Sequence, residues 1–245
     1  MSVVAARPVN VLGSASGLTT IFRDSYNRTA GDLGSNWAGG SKTPFPFTSG
    51  NIVTSSWNIG AMTATCAGNG LRFDHTAPTF NPAASWPFWG IAVPTANSLI
   101  NGRSQFSSAR LCSTARTGAG NLDVGPAVFV NMSVEFGGSG YFLDITASTH
   151  AWSLQKCSAG TFSTLASGVG IVDGDTLSLQ LTVNSVGNVT LVAFQNSSTL
   201  TTQVDASALL VGYPGWFAFA SSQNGGTVRS EWQNWIGGLG AVQAF

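Results

Sequence analysis

A few residues in this chain have types and spacings that could do chemistry. Cleaving a glycosidic bond takes two carboxyl groups about 5–9.5 Å apart, one of them held protonated. On a β-strand, residues i and i+2 share a face about 6.6 Å apart, so an acid-x-acid pair on a strand would be the signature. The single such pair, Asp173 and Asp175, brackets Gly174 in a segment with turn chemistry. Glu135 and Glu231 are the only glutamates, and neither has an acid two residues away. His75 and His150 are isolated, and nothing resembles a nucleophile elbow, although a Ser-His-Asp set can assemble from distant positions. These residues give no reason to expect an enzyme.

Metal binding is equally thin. Calcium takes six to eight oxygen ligands, and Asp24, Asp173 and Asp175 are the acids that could contribute them. No metal site and no cofactor are expected, with calcium the one left open. Cys66, Cys112 and Cys157 are odd in number and widely spaced, which speaks against a disulfide framework or a zinc site. The richest candidate is Ser85-Trp86-Pro87-Phe88-Trp89, read as a loop. Its aromatics, Trp86, Phe88 and Trp89, have flat faces suited to sugar rings and equally to a subunit interface, or they cap the core. Trp232 and Trp235, three apart on one expected strand, should face opposite sides, leaving one to pack outside its own sheet.

The elements that must position these groups are strands. In 176–183, Leu177, Leu179, Leu181 and Val183 alternate with Thr176, Ser178, Gln180 and Thr182, the pattern of a half-buried strand. Residues 188–194 repeat it with Val189, Leu191 and Ala193, and Asn184-Ser185-Val186-Gly187 supplies the hairpin turn between them. Further short strands are expected at 20–26, 52–57, 61–66, 88–93, 105–113, 127–135, 141–146, 151–156, 161–166, 201–205, 215–220 and 228–235. Many short strands separated by Gly, Asn, Ser and Pro indicate a sandwich or barrel. No linker or repeat divides the chain, so 20–245 reads as one domain and 1–19 as an N-terminal arm.

Composition narrows the partners. Of 245 residues, 43% are apolar and only 8% charged, against roughly 25% charged in ordinary domains. Ten basic and ten acidic side chains cancel, and no basic cluster exists to hold nucleic acid. No run approaches the roughly 20 apolar residues of a membrane-spanning helix, and the first residues lack the apolar run of a signal peptide. A near-neutral, sparsely charged surface favours association, so a homo-oligomer or a place in a larger assembly is expected.

The segment Phe22-Arg23-Asp24-Ser25-Tyr26-Asn27-Arg28-Thr29-Ala30-Gly31-Asp32-Leu33-Gly34-Ser35-Asn36-Trp37 resembles the opening of LamG-like, concanavalin A-like jelly rolls of bacteriophage tail and other virion proteins. Tyr26 stands where Phe is usual. Val124-Gly125-Pro126-Ala127-Val128, Gly140-Tyr141-Phe142, Asp173-Gly174-Asp175-Thr176-Leu177, Gly212-Tyr213-Pro214-Gly215-Trp216-Phe217 and 232–237 follow in the family's order, so the likeness spans about 20–238. It implies an all-β, two-sheet antiparallel jelly-roll sandwich of the concanavalin A-like lectin/glucanase type. Asn27, Arg28 and Asp32 would shape a turn, and Trp37 would cover a sheet. The implied role is a virion structural protein, a head decoration or tail-associated module that contacts other virion proteins and cell-surface glycans. The alternatives are a stand-alone carbohydrate-binding, lectin-like module and, after it, a glycoside hydrolase. Fold alone does not choose among them.

Overall fold

The computed structural model describes residues 21–26, 37–39, 52–53, 61–66, 70–77, 85–92, 100–101, 103–118, 121–131, 139–158, 161–185, 187–209, 211–221 and 226–240. The expected N-terminal arm, 1–19, lies outside them, as do Asn27, Arg28, Asp32 and Glu135.

The described residues form two sheets whose pairings are all antiparallel. Numbered along the chain, the first sheet runs β15 (Ser198–Asp205), β14 (Asn188–Gln195), β13 (Thr176–Ser185), β8 (Gln105–Gly118), β17 (Gly226–Leu239), β5 (Leu71–Ala77), β4 (Ala61–Cys66) and β3 (Ile52–Val53). β1 (Ile21–Asp24) also pairs with β17. The second runs β12 (Thr161–Gly168), β11 (Trp152–Ser158), β10 (Ser139–Thr146), β9 (Asn121–Asn131), β16 (Val211–Ser221), β6 (Ser85–Ala92) and β2 (Trp37–Gly39). β7 (Ile100–Asn101) pairs with β16.

Alternation builds the core as the sequence indicates. Leu177, Leu179 and Leu181 of β13 and Val189, Leu191 and Ala193 of β14 are fully buried, facing Val124, Leu143, Ile145 and Leu154 of the second sheet. Each such leucine, isoleucine or valine contributes about 1.5–3 kcal/mol on leaving water. Polar groups also cross this interior. Gln105 donates to the Gly212 carbonyl at 2.8 Å and accepts from the Phe129 amide at 3.0 Å. Ser107 donates to the Gly215 carbonyl at 2.8 Å and accepts from Trp235 Nε1 at 2.9 Å. These bonds serve backbone groups that β-bulges in the second sheet would otherwise leave unpaired inside. Tyr26 uses the hydroxyl that the usual Phe lacks: it accepts from Trp216 Nε1 at 2.7 Å.

An ion pair closes one edge. Lys156 Nζ of β11 lies 2.6 Å from Asp205 Oδ2 of β15, and the Tyr141 hydroxyl of β10 donates to the same oxygen at 2.7 Å. Burial alone would raise the Asp205 pKa, but the bonds from Lys156, Tyr141 and Ser207 outweigh it and hold the carboxyl at about 2.

Two sequence expectations are corrected, and one strand appears where none was expected. Ser85–Trp89 is not a loop: it opens β6, an interior strand between β16 and β2. Leu71–Ala77 is a strand that the charged and His positions within it disguised. Trp232 and Trp235 do not face opposite sides, since both are buried in the main core. A bulge between Gln233 and Ile236, with Asn234 at φ 52°, resets the alternation and turns Trp235 inward.

Candidate functional site

The chemically distinctive group on the described residues is a carboxyl that the sequence survey passed over. In β10, Tyr141, Leu143 and Ile145 face the core, so Phe142 and Asp144 point to the outer face of the second sheet. Asp144 is only 2% exposed. Burial raises its pKa most, and the charge of Asp123 raises it further. Hydrogen bonds from Ser153 and Gln155 pull the other way, and the carboxyl settles at about 7. Ser153 donates to Asp144 Oδ1 at 2.6 Å, and Gln155 Nε2 donates to Oδ2 at 3.2 Å and to Ser153 Oγ at 2.9 Å. Ser153, Gln155 and Asp123 all remain partly exposed.

Asp123 comes from the neighbouring strand. The register pairs Asp123 with Thr146, two residues beyond Asp144, so both acids lie on one face as diagonal neighbours. That diagonal is about 7–8 Å between α-carbons. The expected signature was two acids along one strand; here two strands supply one each.

Beside these polar groups lies an aromatic layer on the same face. Phe142 of β10 stacks on Phe217 of β16, centroids 4.0 Å apart and planes 8° from parallel, and Phe162 tilts against both. Gly125 sits between the strands that carry them; a Cβ there would collide with the Leu143 carbonyl, so only glycine fits. The register pairs Phe217 with Trp89 and Ala218 with Phe88. Two of the aromatic positions singled out in the sequence therefore stand in the strand next to this layer. The side chains of Trp86, Phe88 and Trp89 lie outside the described part of the structure.

The other candidates separate into structural roles. Asp175 accepts from the Val172 amide at 2.8 Å, Gln195 at 2.6 Å and Asn196 at 2.6 Å, which fixes the turn before β13. Burial would raise its pKa, and these donors lower it. With its oxygens engaged by N–H groups, Asp175 is a poor partner for a cation. Asp24 accepts from the Tyr26 amide at 2.8 Å. Among the described residues no three His, Cys, Asp or Glu side chains converge as a metal site.

His150 Nε2 lies 2.6 Å from Thr114 Oγ1 and 3.5 Å from Asp173 Oδ1. A nucleophile relay uses the two ring nitrogens for different partners; here both contacts fall on one nitrogen, which makes the cluster a clasp between sheets. Glu231 accepts from Ser113 at 3.2 Å on β8. Neither Cys112 nor Cys157 is in a disulfide; the side chains of Cys66 and His75 lie outside the described part.

No protein-family model and no curated protein matches the chain. Its fold is similar to solved structures. An endo-1,3-β-glucanase from Streptomyces sioyaensis aligns over 96% of this chain and 99% of its own at 14% identity, with a TM-score of 0.57. The carbohydrate recognition domain of Emp47p aligns over 94% and 100% at 9% identity and 0.46. A GlcNAcα1-4Gal releasing endo-β-galactosidase from Clostridium perfringens aligns over 98% and 66% at 8% identity and 0.48. The fold is thus an all-β jelly-roll sandwich of the concanavalin A-like lectin/glucanase type.

Proposed function

We propose that the chain is a carbohydrate-binding, lectin-like module that meets a glycan with the outer face of its second sheet and leaves the glycan uncut. The observation that carries this reading is the array around Asp144. A buried carboxyl fixes the orientations of Ser153 and Gln155, whose remaining surface is open, while Asp123 stands alongside. Sugar recognition needs donors and acceptors held in place over a rigid support, and the Phe142–Phe217 stack is such a support. Access favours binding over cleavage: at 2% exposure, Asp144 would have to be uncovered before it could meet a glycosidic oxygen.

The test is a broad glycan array followed by calorimetry on the best ligand. Gln155→Ala should weaken binding roughly tenfold, the loss of one or two good hydrogen bonds. No response to any glycan would end the proposal.

Hydrolysis is the second reading, and a specific observation favours it. One acid held near neutrality beside a second on the same face is the arrangement that glycoside cleavage uses. Release of reducing ends from a polysaccharide, abolished by Asp144→Asn, would replace binding with catalysis. The virion role, with its assembly partners, rests on the sequence motifs and the sparse charge; finding the protein in purified particles would support it.

A further inference from the structure

The bulge that turns Trp235 inward also empties a place on the opposite side of the molecule. On the outer face of the first sheet, the register aligns Arg23, Ile236, Ser108 and Ser178 in one row across β1, β17, β8 and β13. The next row holds Gln233, Arg110 and Thr176. Between the rows β17 carries Asn234 and Trp235 where β8 has only Ala109, one residue more, and the Trp235 indole is spent on the core through its bond to Ser107. A cleft of about 410 Å³ results, within the size range of sites for small ligands.

Its lining is specific in charge. Arg23 and Arg110, both exposed, stand on opposite walls two strands and one row apart, about 12 Å at the backbone. Arg110 Nε donates to the Gly174 carbonyl at 3.2 Å, which holds the guanidinium over the cleft. The floor is closed by Ile236 and Ser108, whose hydroxyl lies 2.6 Å from that of Ser178. Asp24, Ser25, Thr176 and Asn234 complete the lining with groups suited to hydroxyls.

We propose that this cleft is a second ligand site, distinct from the Asp144 face, and that it takes a small acidic sugar, a uronic acid unit. A guanidinium fork matches a carboxylate in geometry and charge. Among the described lining residues two arginines face one carboxylate, Asp24, an excess of one positive charge that suits a monoanion and penalises a polyanion. The hydroxyl and amide groups between the arginines match the ring hydroxyls, and Ile236 supplies an apolar floor for one face of the ring.

Calorimetric titration of the full chain with D-glucuronate, D-glucose and inorganic sulfate tests the proposal. Glucuronate should bind at least about tenfold more tightly than glucose, the worth of a charge-assisted pair. Arg110→Gln and, separately, Arg23→Gln should bring glucuronate down to the glucose level with the thermal melt unchanged. Gln155→Ala should leave glucuronate binding intact, which separates this site from the one on the second sheet. Equal affinity for glucuronate and glucose, no binding of glucuronate, or no effect of either arginine change would overturn it. Sulfate bound as tightly as glucuronate, and displacing it, would reduce the cleft to a simple anion site and also overturn it.

Discussion

At the scale of single residues, two carboxyls are perturbed in opposite directions, and they act in different pH windows. Asp144 is raised from 3.8 to about 7, so the folded chain holds a proton there that the unfolded chain has released. Its contribution to stability is complete below pH 3.8 and is lost as pH rises through 7. Asp144→Asn should therefore flatten the fall in denaturation free energy across that window, and urea titrations at several pH values check it. Asp205, held at about 2, has the reverse sign. Its stabilisation is present above the unfolded value and is lost as pH falls toward 2. Asp205→Asn should cost about 3 kcal/mol at neutral pH, by leaving the mostly buried Lys156 without its counter-charge, with only Ser207 still accepting from it. The variant should also weaken the wild type's acid sensitivity. Neither acid stands out in sequence: Asp144 interrupts an apolar strand, a signal that was there to find, whereas Asp205 only ends a polar one.

At the scale of elements, the bulge in β17 determines more than its length suggests. It brings Trp232 and Trp235 to the same side, and it opens the cleft on the other. Gly237 makes room for the displaced indole, since a Cβ there would collide with the Trp235 ring. Gly237→Ala should cost about 1–3 kcal/mol, as overpacking does. Asn234→Gly should be nearly neutral, because its φ of 52° is one that glycine adopts freely. Chemical denaturation of both variants tests the pair together; a neutral Gly237→Ala would contradict the packing described. Sequence periodicity cannot reveal such a bulge, because it assumes one residue per step. It therefore placed the two tryptophans on opposite faces and left Ser85–Trp89 in a loop, where Pro87 among aromatics resembled a break in pairing.

At the scale of the whole molecule, one core joins both sheets, with Leu179 on β13 and Leu143 on β10 in the same cluster. Leu179→Ala and Leu143→Ala should each lower the same cooperative transition by about 2–5 kcal/mol. Two separate transitions, each sensitive to one substitution, would argue against a single cooperative unit. The opposed outer faces differ in character. One carries polar groups beside an aromatic layer, and the other carries an arginine-walled cleft, so the two proposed ligand surfaces are separated by the thickness of the sandwich.

The sandwich itself was legible from the amino acids, because alternation of apolar and polar residues is local and repeats with a period of two. Strands 176–183 and 188–194 needed nothing else. Which acids meet is a different kind of fact. Asp123 and Asp144 share a face only because β9 pairs with β10 in one register, and Trp89 stands beside Phe217 only because β6 pairs with β16 across more than a hundred residues of intervening chain. Pairing of this sort is set by the packing of the whole core rather than by neighbours in sequence, so the tertiary structure alone decided where the chemistry could lie.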